Sequence, residues 1–187
     1  MVRFKVELMG ACRVVRLSTG DEVVFRTRKT RCLLGLLLLS TGGRMNRERL
    51  ASLLWDPAPE ALARSSLRQC LKELREVLGP EGDGLVEADR FTVALTAAAF
   101  DVDARRFRDL ISRATGESQT LLAAANLWQG ELFGPALPSA PVFEAWLQIE
   151  RSQLRSALTM AMTDALEGFI RTENFGETRL AEELVRI

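Results

Sequence analysis

A row of basic side chains along one helix is the feature of this sequence with the clearest chemical use. Segment 60–78 has helical periodicity, and at 100° per residue four cations fall within an arc of roughly 80°, with Ser65 and Gln69 beyond it at about 100° and 140°. These cations are Arg64, Arg68, Lys72 and Arg75. Glu73 and Glu76 lie outside the arc, so we expect no carboxylate of the same stripe to neutralise it.

Cations spaced in this way suit a polyanionic partner. A helix about 12 Å wide fits the major groove of DNA, where Arg and Gln side chains hydrogen-bond to guanine and adenine while other cations contact phosphate. A solvated helix face is the alternative interpretation, because charged helix surfaces are common.

The elements that flank this helix favour groove binding. A shorter helix begins at Asn46 and is ended by prolines at 57 and 59, and segment 85–95 alternates as a β-hairpin with Arg90 at its tip. This is the order of a winged helix-turn-helix, in which a recognition helix enters the groove and the wing touches the flanking backbone.

The N-terminal region is predicted to be a small sheet followed by a buried helix. Alternating residues predict three strands, the third at Val23–Phe25, in an antiparallel sheet. A leucine-rich helix follows, capped by Thr27 or Thr30. The basic run at its start is a second candidate for phosphate contact, with a solvated entry segment as the alternative. This run comprises Arg26, Arg28, Lys29 and Arg31.

The second half has a helical pattern in which we expect no strands. The predicted helices are Val102 to Thr115, Ser118 to Gln129, Val142 to Thr172, and the start of another after Gly176. Helical pairs joined by short turns predict a tetratricopeptide-like solenoid. Because solenoid repeats need neighbours to bury their faces, an unfinished helix at Ile187 predicts that the chain is a fragment.

The predicted fold class therefore combines two domains. Residues 1–97 form an α+β winged helix-turn-helix with a small N-terminal antiparallel sheet, three helices and a C-terminal hairpin wing. Residues 98–187 form an all-α tetratricopeptide-like domain. The net charge is zero overall, but the first segment carries 16 cations against 12 anions and the second 9 against 13. This asymmetry indicates that the first domain faces a polyanion.

Composition excludes several classes of protein. Histidine is absent, which removes the commonest general base and zinc ligand, and no phosphate-binding glycine motif is present. We therefore expect neither an enzyme nor a cofactor or metal. Cys12, Cys32 and Cys70 are widely spaced and are predicted to be reduced core residues. The longest apolar run, 32–39, is too short to cross a membrane, which together with the charged N-terminus predicts a cytoplasmic protein.

The sequence resembles the Streptomyces antibiotic regulatory proteins. The stretch GGRMNRERLASLLWDPAPEALARSSLRQCLKELREVLG, residues 42–79, is similar to their OmpR-like winged-helix domain. The second half resembles the bacterial transcriptional activator domain that follows it in that family. The similar features there are Phe100-Asp101-Val102-Asp103, Phe107, Leu127-Trp128-Gln129-Gly130-Glu131-Leu132, Trp146 and Glu150-Arg151-x-x-Leu154.

This resemblance implies promoter binding as a homodimer on direct repeats. It implies that Arg64, Arg68 and Lys72 face DNA and that the loop from Asp56 to Glu60 contacts RNA polymerase. The predicted DNA-binding residues are Arg64, Ser65, Arg68, Gln69, Lys72, Arg75, Arg44 and Arg90, and the predicted polymerase contacts are Asp56, Ala58 and Glu60. Trp55, Trp128 and Trp146 are interpreted as core residues.

Two hypotheses of function remain open at this point. The leading one is a sequence-specific transcriptional activator whose helical domain dimerises or receives a signal. The alternative is an adaptor without DNA affinity inside a larger signalling protein, which the acidic residues of the wing, Glu87 and Asp89, favour.

Overall fold

Two small sheets and six helices make up the part of the chain that the computed structural model describes, which is residues 1–114, 118–134 and 140–172. The strands are β1 Phe4–Glu7, β2 Arg13–Arg16, β3 Arg44–Asn46, β4 Val86–Ala88, β5 Thr92–Leu95 and β6 Phe100–Val102. The helices are α1 Arg28–Leu39, α2 Arg47–Trp55, α3 Glu60–Leu78, α4 Asp103–Arg113, α5 Ser118–Leu127 and α6 Pro141–Thr172.

The first sheet has the order β2-β1-β6, with β1 antiparallel to β2 and parallel to β6. The predicted third strand at Val23–Phe25 is wrong, because this segment is not a strand, although the Val23 amide donates a hydrogen bond to the carbonyl oxygen of Val14, at 2.8 Å. Strand β6 takes the place beside β1, where Phe4 and Phe100 stack with ring centroids 5.2 Å apart. The expectation of a strand-free second half is therefore also wrong.

The first sheet joins the two predicted domains. Strand β6 follows the predicted boundary between residues 97 and 98, yet its partner β1 begins at Phe4. Directly after β6, the Asp103 carboxylate accepts hydrogen bonds from the amides of Leu8 and Met9, at 2.8 and 3.0 Å. Burial raises the pKa of Asp103, and these amide donors partly oppose that shift. Described residues on both sides of this boundary consequently belong to one hydrophobic core.

Helix α1 is the centre of that core, as its leucines predict. Thr27 is the cap, since its hydroxyl oxygen accepts a hydrogen bond from the amide of Thr30 at 3.1 Å. The buried Glu73 of α3 accepts bonds from the amides of Arg26 and Thr27 and from the Thr30 hydroxyl. This carboxylate satisfies amides at the start of α1 that would otherwise lack partners.

The second sheet is the wing, with the order β3-β5-β4. Its β4–β5 hairpin was predicted and is confirmed. Strand β3, which pairs antiparallel with β5, was not predicted, because its three residues, the last of which caps α2, carry no alternation of their own. The Asn46 cap of α2 was predicted correctly, and its side chain accepts from the amides of Glu48 and Arg49.

Helices α4, α5 and α6 begin and end within two residues of their predicted bounds. The exception is the C-terminal bound of α4, which was predicted at Thr115 and lies outside the described residues. The helix predicted after Gly176 and the predicted truncation at Ile187 also lie outside them, and a tetratricopeptide-like arrangement stays a prediction. No helix in the described ranges is both long and apolar enough to span a bilayer.

Segment 130–134 contacts both α6 and the N-terminal half of the fold. Phe133 is 2% exposed, lies against Gly35 of α1 and donates its amide to the Leu8 carbonyl at 2.6 Å. Arg151 of α6 donates to the carbonyl oxygens of Leu132 and Gly134, at 2.7 and 3.1 Å. Helix α6 therefore has a defined position against α2, α4 and α5.

Candidate nucleic-acid interface

Helix α3 is held by its apolar side, which leaves its polar side in solvent. The buried residues on this helix include Ala63, Leu67, Cys70, Leu71, Leu74 and Leu78. Gly79, with φ 61°, ends the helix, and Arg16 of β2 donates to the carbonyl oxygens of Val77 and Leu78. The helix is thus fixed at its C-terminal end by a cation from the first sheet, a role that the sequence pattern did not reveal.

The predicted contact residues of α3 lie on its exposed side. Arg64, Ser65, Arg68, Gln69, Lys72 and Arg75 are all solvent-exposed residues. The side chains of Arg64 and Lys72 retain 52% and 70% of their accessible area. These residues remain exposed in the presence of the described parts of the second half, so the row is open to a ligand.

Carboxylates do contact the row, which corrects the expectation that none would. The Arg64 guanidinium is paired with Glu60 on the preceding turn and with Glu48 of α2, the latter at 3.5 Å. Lys72 Nζ lies 3.8 Å from Glu76 Oε1. The helical-wheel projection of α3 could not show the contact with Glu48, because Glu48 lies on α2.

Glu76 connects the row to the start of α1. Its second carboxylate oxygen lies 3.2 Å from Arg26 Nη1, so Arg26 and Lys72 share one exposed anion. Exposed pairs of this kind contribute about 0–1 kcal/mol and exchange readily for other anions. Arg26 consequently extends the cationic surface beyond Lys72.

Arg75 has a structural partner. Its Nε and Nη2 atoms both donate to the carbonyl oxygen of Val86 in β4, each at 3.2 Å. The side chain thus ties α3 to the wing. Because these donors are already bonded within the chain, Arg75 differs from the rest of the row.

Arg68 opens onto a groove between α3, the start of α2 and the wing tip. Among the described residues no hydrogen bond or ion pair involves Arg68. The groove, about 420 Å³ in volume, is lined by Arg47, Glu48, Arg64, Leu67, Arg68, Asp89, Arg90 and Phe91. Arg47 was not among the predicted contacts. Arg47 is the first residue of α2 and directly follows β3, which pairs with β5. This position places Arg47 in the groove.

The wing tip is a small hydrogen-bonded turn. The Asp89 carboxylate accepts from the amides of Phe91 and Thr92, both at 2.7 Å, and these bonds lower the pKa of Asp89. Phe91 is 65% exposed, and the Arg90 guanidinium lies over its ring, 5.4 Å from the centroid. Arg47 donates to the Asp89 carbonyl at 3.4 Å, so α2 and the tip are connected.

Arg44 lies elsewhere. It occupies β3 opposite Ala94, on the exposed side of the wing, and lines a depression there together with Glu87 and Asp89. The structure therefore does not bring Arg44 into the groove that holds Arg68 and Arg90.

The loop between α2 and α3 is exposed over residues 56–60. The amides of Asp56 and Ala58 donate hydrogen bonds to the carbonyl oxygens of Ser52 and Trp55, at 3.1 and 2.6 Å, so the backbone of this loop is fixed. Trp55 is buried, as predicted, with Lys29 Nζ 5.4 Å from its ring centroid. Trp128 and Trp146 are partly buried against the core, also as predicted.

The cysteines offer no reactive or metal-binding centre. All three are free, and burial raises the pKa of Cys12 and of Cys32 to about 12. Across residues 1–114, 118–134 and 140–172, no group of three or more Cys, Asp or Glu side chains could hold a metal ion.

Comparison with solved structures places this fold beside a known one. The chain is similar to EmbR of Mycobacterium tuberculosis, whose structure is that of a complex with a low-affinity phosphopeptide, with a TM-score of 0.71 and 22% sequence identity. The likeness covers 91% of this chain and 46% of EmbR, so the chain spans about half the length of that neighbour. No protein-family model and no curated protein matches the sequence.

Proposed function

We propose that this chain is a sequence-specific DNA-binding transcriptional regulator with α3 in the major groove. The observation that carries the proposal is the exposed row of Arg64, Arg68 and Lys72, which continues through the groove to Arg47 and Arg90. Surface cations that converge in this way are suited to the phosphates and base edges of a duplex. The fold shared with EmbR supports this assignment at the level of architecture.

Within this proposal the side chains have separate roles. Arg68 and Gln69, at the middle of the exposed side of α3, contact base edges, and Arg64 and Ser65 do so one turn earlier. Lys72 and Arg26 contact phosphate at one end of the row. Arg47 and Arg90 contact the DNA backbone at the other end of the row.

The finer parts of the proposal follow from the composition of the chain and from its resemblance to the antibiotic regulatory proteins. The chain is a cytoplasmic, non-enzymatic activator that binds direct repeats as a homodimer. Its second half is the activator domain with a tetratricopeptide-like arrangement. The exposed loop with Asp56, Ala58 and Glu60 contacts RNA polymerase, and its fixed backbone supports a defined protein contact.

Selection of bound fragments from a random DNA pool tests this function. A regulator enriches one sequence, and a dimer on direct repeats enriches two copies in the same orientation at a spacing of about one helical turn or a multiple of it. Footprinting of the selected fragment then gives the stoichiometry. A pool without enrichment at low salt would contradict the proposal.

An adaptor is the second candidate, and the acidic surroundings of the row favour it. Glu48, Glu60 and Glu76 each pair with a cation of α3, and Glu87 and Asp89 lie on the wing. An adaptor would bind neither specific nor random DNA in the same selection.

A further inference from the structure

The aromatic side chain at the wing tip has no part in the roles assigned above. Among the described side chains, Phe91 is the most exposed aromatic one, at 65%. A single exposed apolar residue is common on protein surfaces and indicates no function by itself. The position of Phe91 is what sets it apart, because it lines the groove together with Arg64, Arg68 and Arg90.

The main chain of Phe91 is fixed at this groove. Its amide donates to the Asp89 carboxylate at 2.7 Å, and its carbonyl oxygen accepts from the Arg47 amide at 2.8 Å. The next residue, Thr92, begins β5 and pairs with Asn46. Because the direction of a Cα–Cβ bond follows from the main chain, the Phe91 side chain leaves the tip in a defined direction.

Cations surround the exposed ring. The Arg90 guanidinium lies over it, 5.4 Å from the centroid, and four of the described residues that line the groove are arginines against two that are acidic. An apolar protein surface that covered the ring would also take these cations out of water without supplying anions, which is costly. A partner that carries anions and apolar surface side by side suits this tip better.

The backbone of a DNA strand has this combination. Phosphates alternate along it with deoxyriboses, whose carbon atoms are its apolar surface. In the proposed complex α3 occupies the major groove, and the wing tip lies beside the strand that borders it. A cation and an aromatic ring on consecutive residues, Arg90 and Phe91, therefore match a phosphate and the deoxyribose next to it.

We propose that Phe91 packs against a deoxyribose of the bound strand. This inference rests on the proposed function, since it concerns the same DNA interface. Every nucleotide of DNA carries the same sugar, so the contact raises affinity for all sequences equally. It releases no counterion, so its contribution does not depend on salt concentration. Phe91 thus differs from Arg68, which contacts bases, and from Arg90, which contacts phosphate.

DNA affinity measured at several salt concentrations tests this contact. Fluorescence anisotropy compares wild type with Phe91→Ala, Phe91→Leu, Arg90→Ala and the double variant of Phe91→Ala with Arg90→Ala. The ligands are the site selected by wild type, single-base-pair variants of that site, and random DNA. Ile149→Ala is the matched control, because Ile149 is an apolar residue of α6 with 58% exposure and does not line the groove. Thermal melting confirms that each variant is folded.

Phe91→Ala should bind every duplex roughly threefold to tenfold more weakly than wild type, because the contact between ring and sugar is lost. Its plot of log K against log salt concentration should be displaced from that of wild type and keep the same slope. Phe91→Leu, which retains apolar surface, should lose no more than about twofold. Ile149→Ala should bind as wild type does.

Arg90→Ala separates the ring from the cation that lies over it. Loss of a phosphate contact should reduce the slope in magnitude by about 1. Phe91→Ala should weaken binding by the same factor whether Arg90 is present or replaced, since the ring contacts the sugar directly. If Phe91→Ala has no effect in the Arg90→Ala background, Phe91 acts only through Arg90 and the sugar contact is wrong.

Other outcomes separate this inference from the proposed function. If wild type binds DNA but Phe91→Ala keeps its affinity, or loses affinity only for sites with one particular base pair, the sugar contact is wrong and the proposed function stands. If wild type binds no DNA at low salt, the proposed function fails and the inference fails with it.

Discussion

At the scale of single residues, the cations of α3 divide according to their partners. Arg75 is bonded to the wing backbone and Arg64 is held by two carboxylates, whereas Arg68 has neither kind of partner among the described residues. Residue types and spacing predicted this row from the sequence. They could not predict the partners, because Val86 and Glu48 reach the row only through tertiary structure.

Arg68→Ala provides the residue-level prediction. The substitution should weaken specific DNA binding by roughly 1–3 kcal/mol and reduce preference at one base position, because the groove loses a direct base contact. Anisotropy titrations on the selected site measure this loss. Arg113→Ala, which removes an exposed arginine of α4, is the matched control and should leave affinity unchanged. Equal affinity of Arg68→Ala and wild type would count against a base contact.

At the scale of elements, α3 was predicted most accurately. Its apolar residues recur at helical spacing over 19 residues, and prolines and glycine mark its two ends, so its bounds follow from local sequence. Strands β3 and β6 were missed because each has three residues and exists through its partner strand. The missed β6 pairs with β1 across the predicted boundary between residues 97 and 98, and the division into two domains stays a prediction.

Two leucines on α3 separate stability from recognition. Leu71 is 2% exposed, and Leu71→Ala should cost roughly 2–5 kcal/mol of unfolding free energy through a core cavity. Leu62, at 61% exposure on the same helix, is the matched control, and Leu62→Ala should change stability by no more than about 0.5 kcal/mol. Denaturant unfolding compares the two variants.

Folded Leu71→Ala protein should keep the base preference of wild type, since Leu71 points into the core. A change of base preference without a loss of stability would show that the two sides of α3 are assigned incorrectly.

At the scale of the whole molecule, the winged part and the described helices of the second half form one unit. Strand β6, the Asp103 carboxylate and segment 130–134 each bond to the N-terminal sheet or its loop. We therefore expect the described residues to unfold in a single cooperative transition. A hinge between independent domains would instead give two transitions.

Gly35→Ala tests the packing of segment 130–134 against α1, which connects the two halves of the chain. Alanine normally stabilises a helix interior relative to glycine, but a Cβ at position 35 would overlap with the ring of Phe133. We expect a net loss of roughly 1–3 kcal/mol, measured by denaturant unfolding. Combining it with Phe133→Leu, which shortens the opposing side chain, should recover part of that loss. An increase in stability from Gly35→Ala alone would contradict the packing described here.

The most direct measurement of the central claim is the salt dependence of DNA affinity for wild type, Lys72→Ala and the control Arg113→Ala. A helix that lies in the major groove with Lys72 on phosphate predicts a steep linear fall of log K with log salt concentration. It also predicts that the slope for Lys72→Ala is smaller in magnitude by about 1, while that of Arg113→Ala is unchanged. Absence of binding at low salt, or identical slopes for all three chains, would contradict the account.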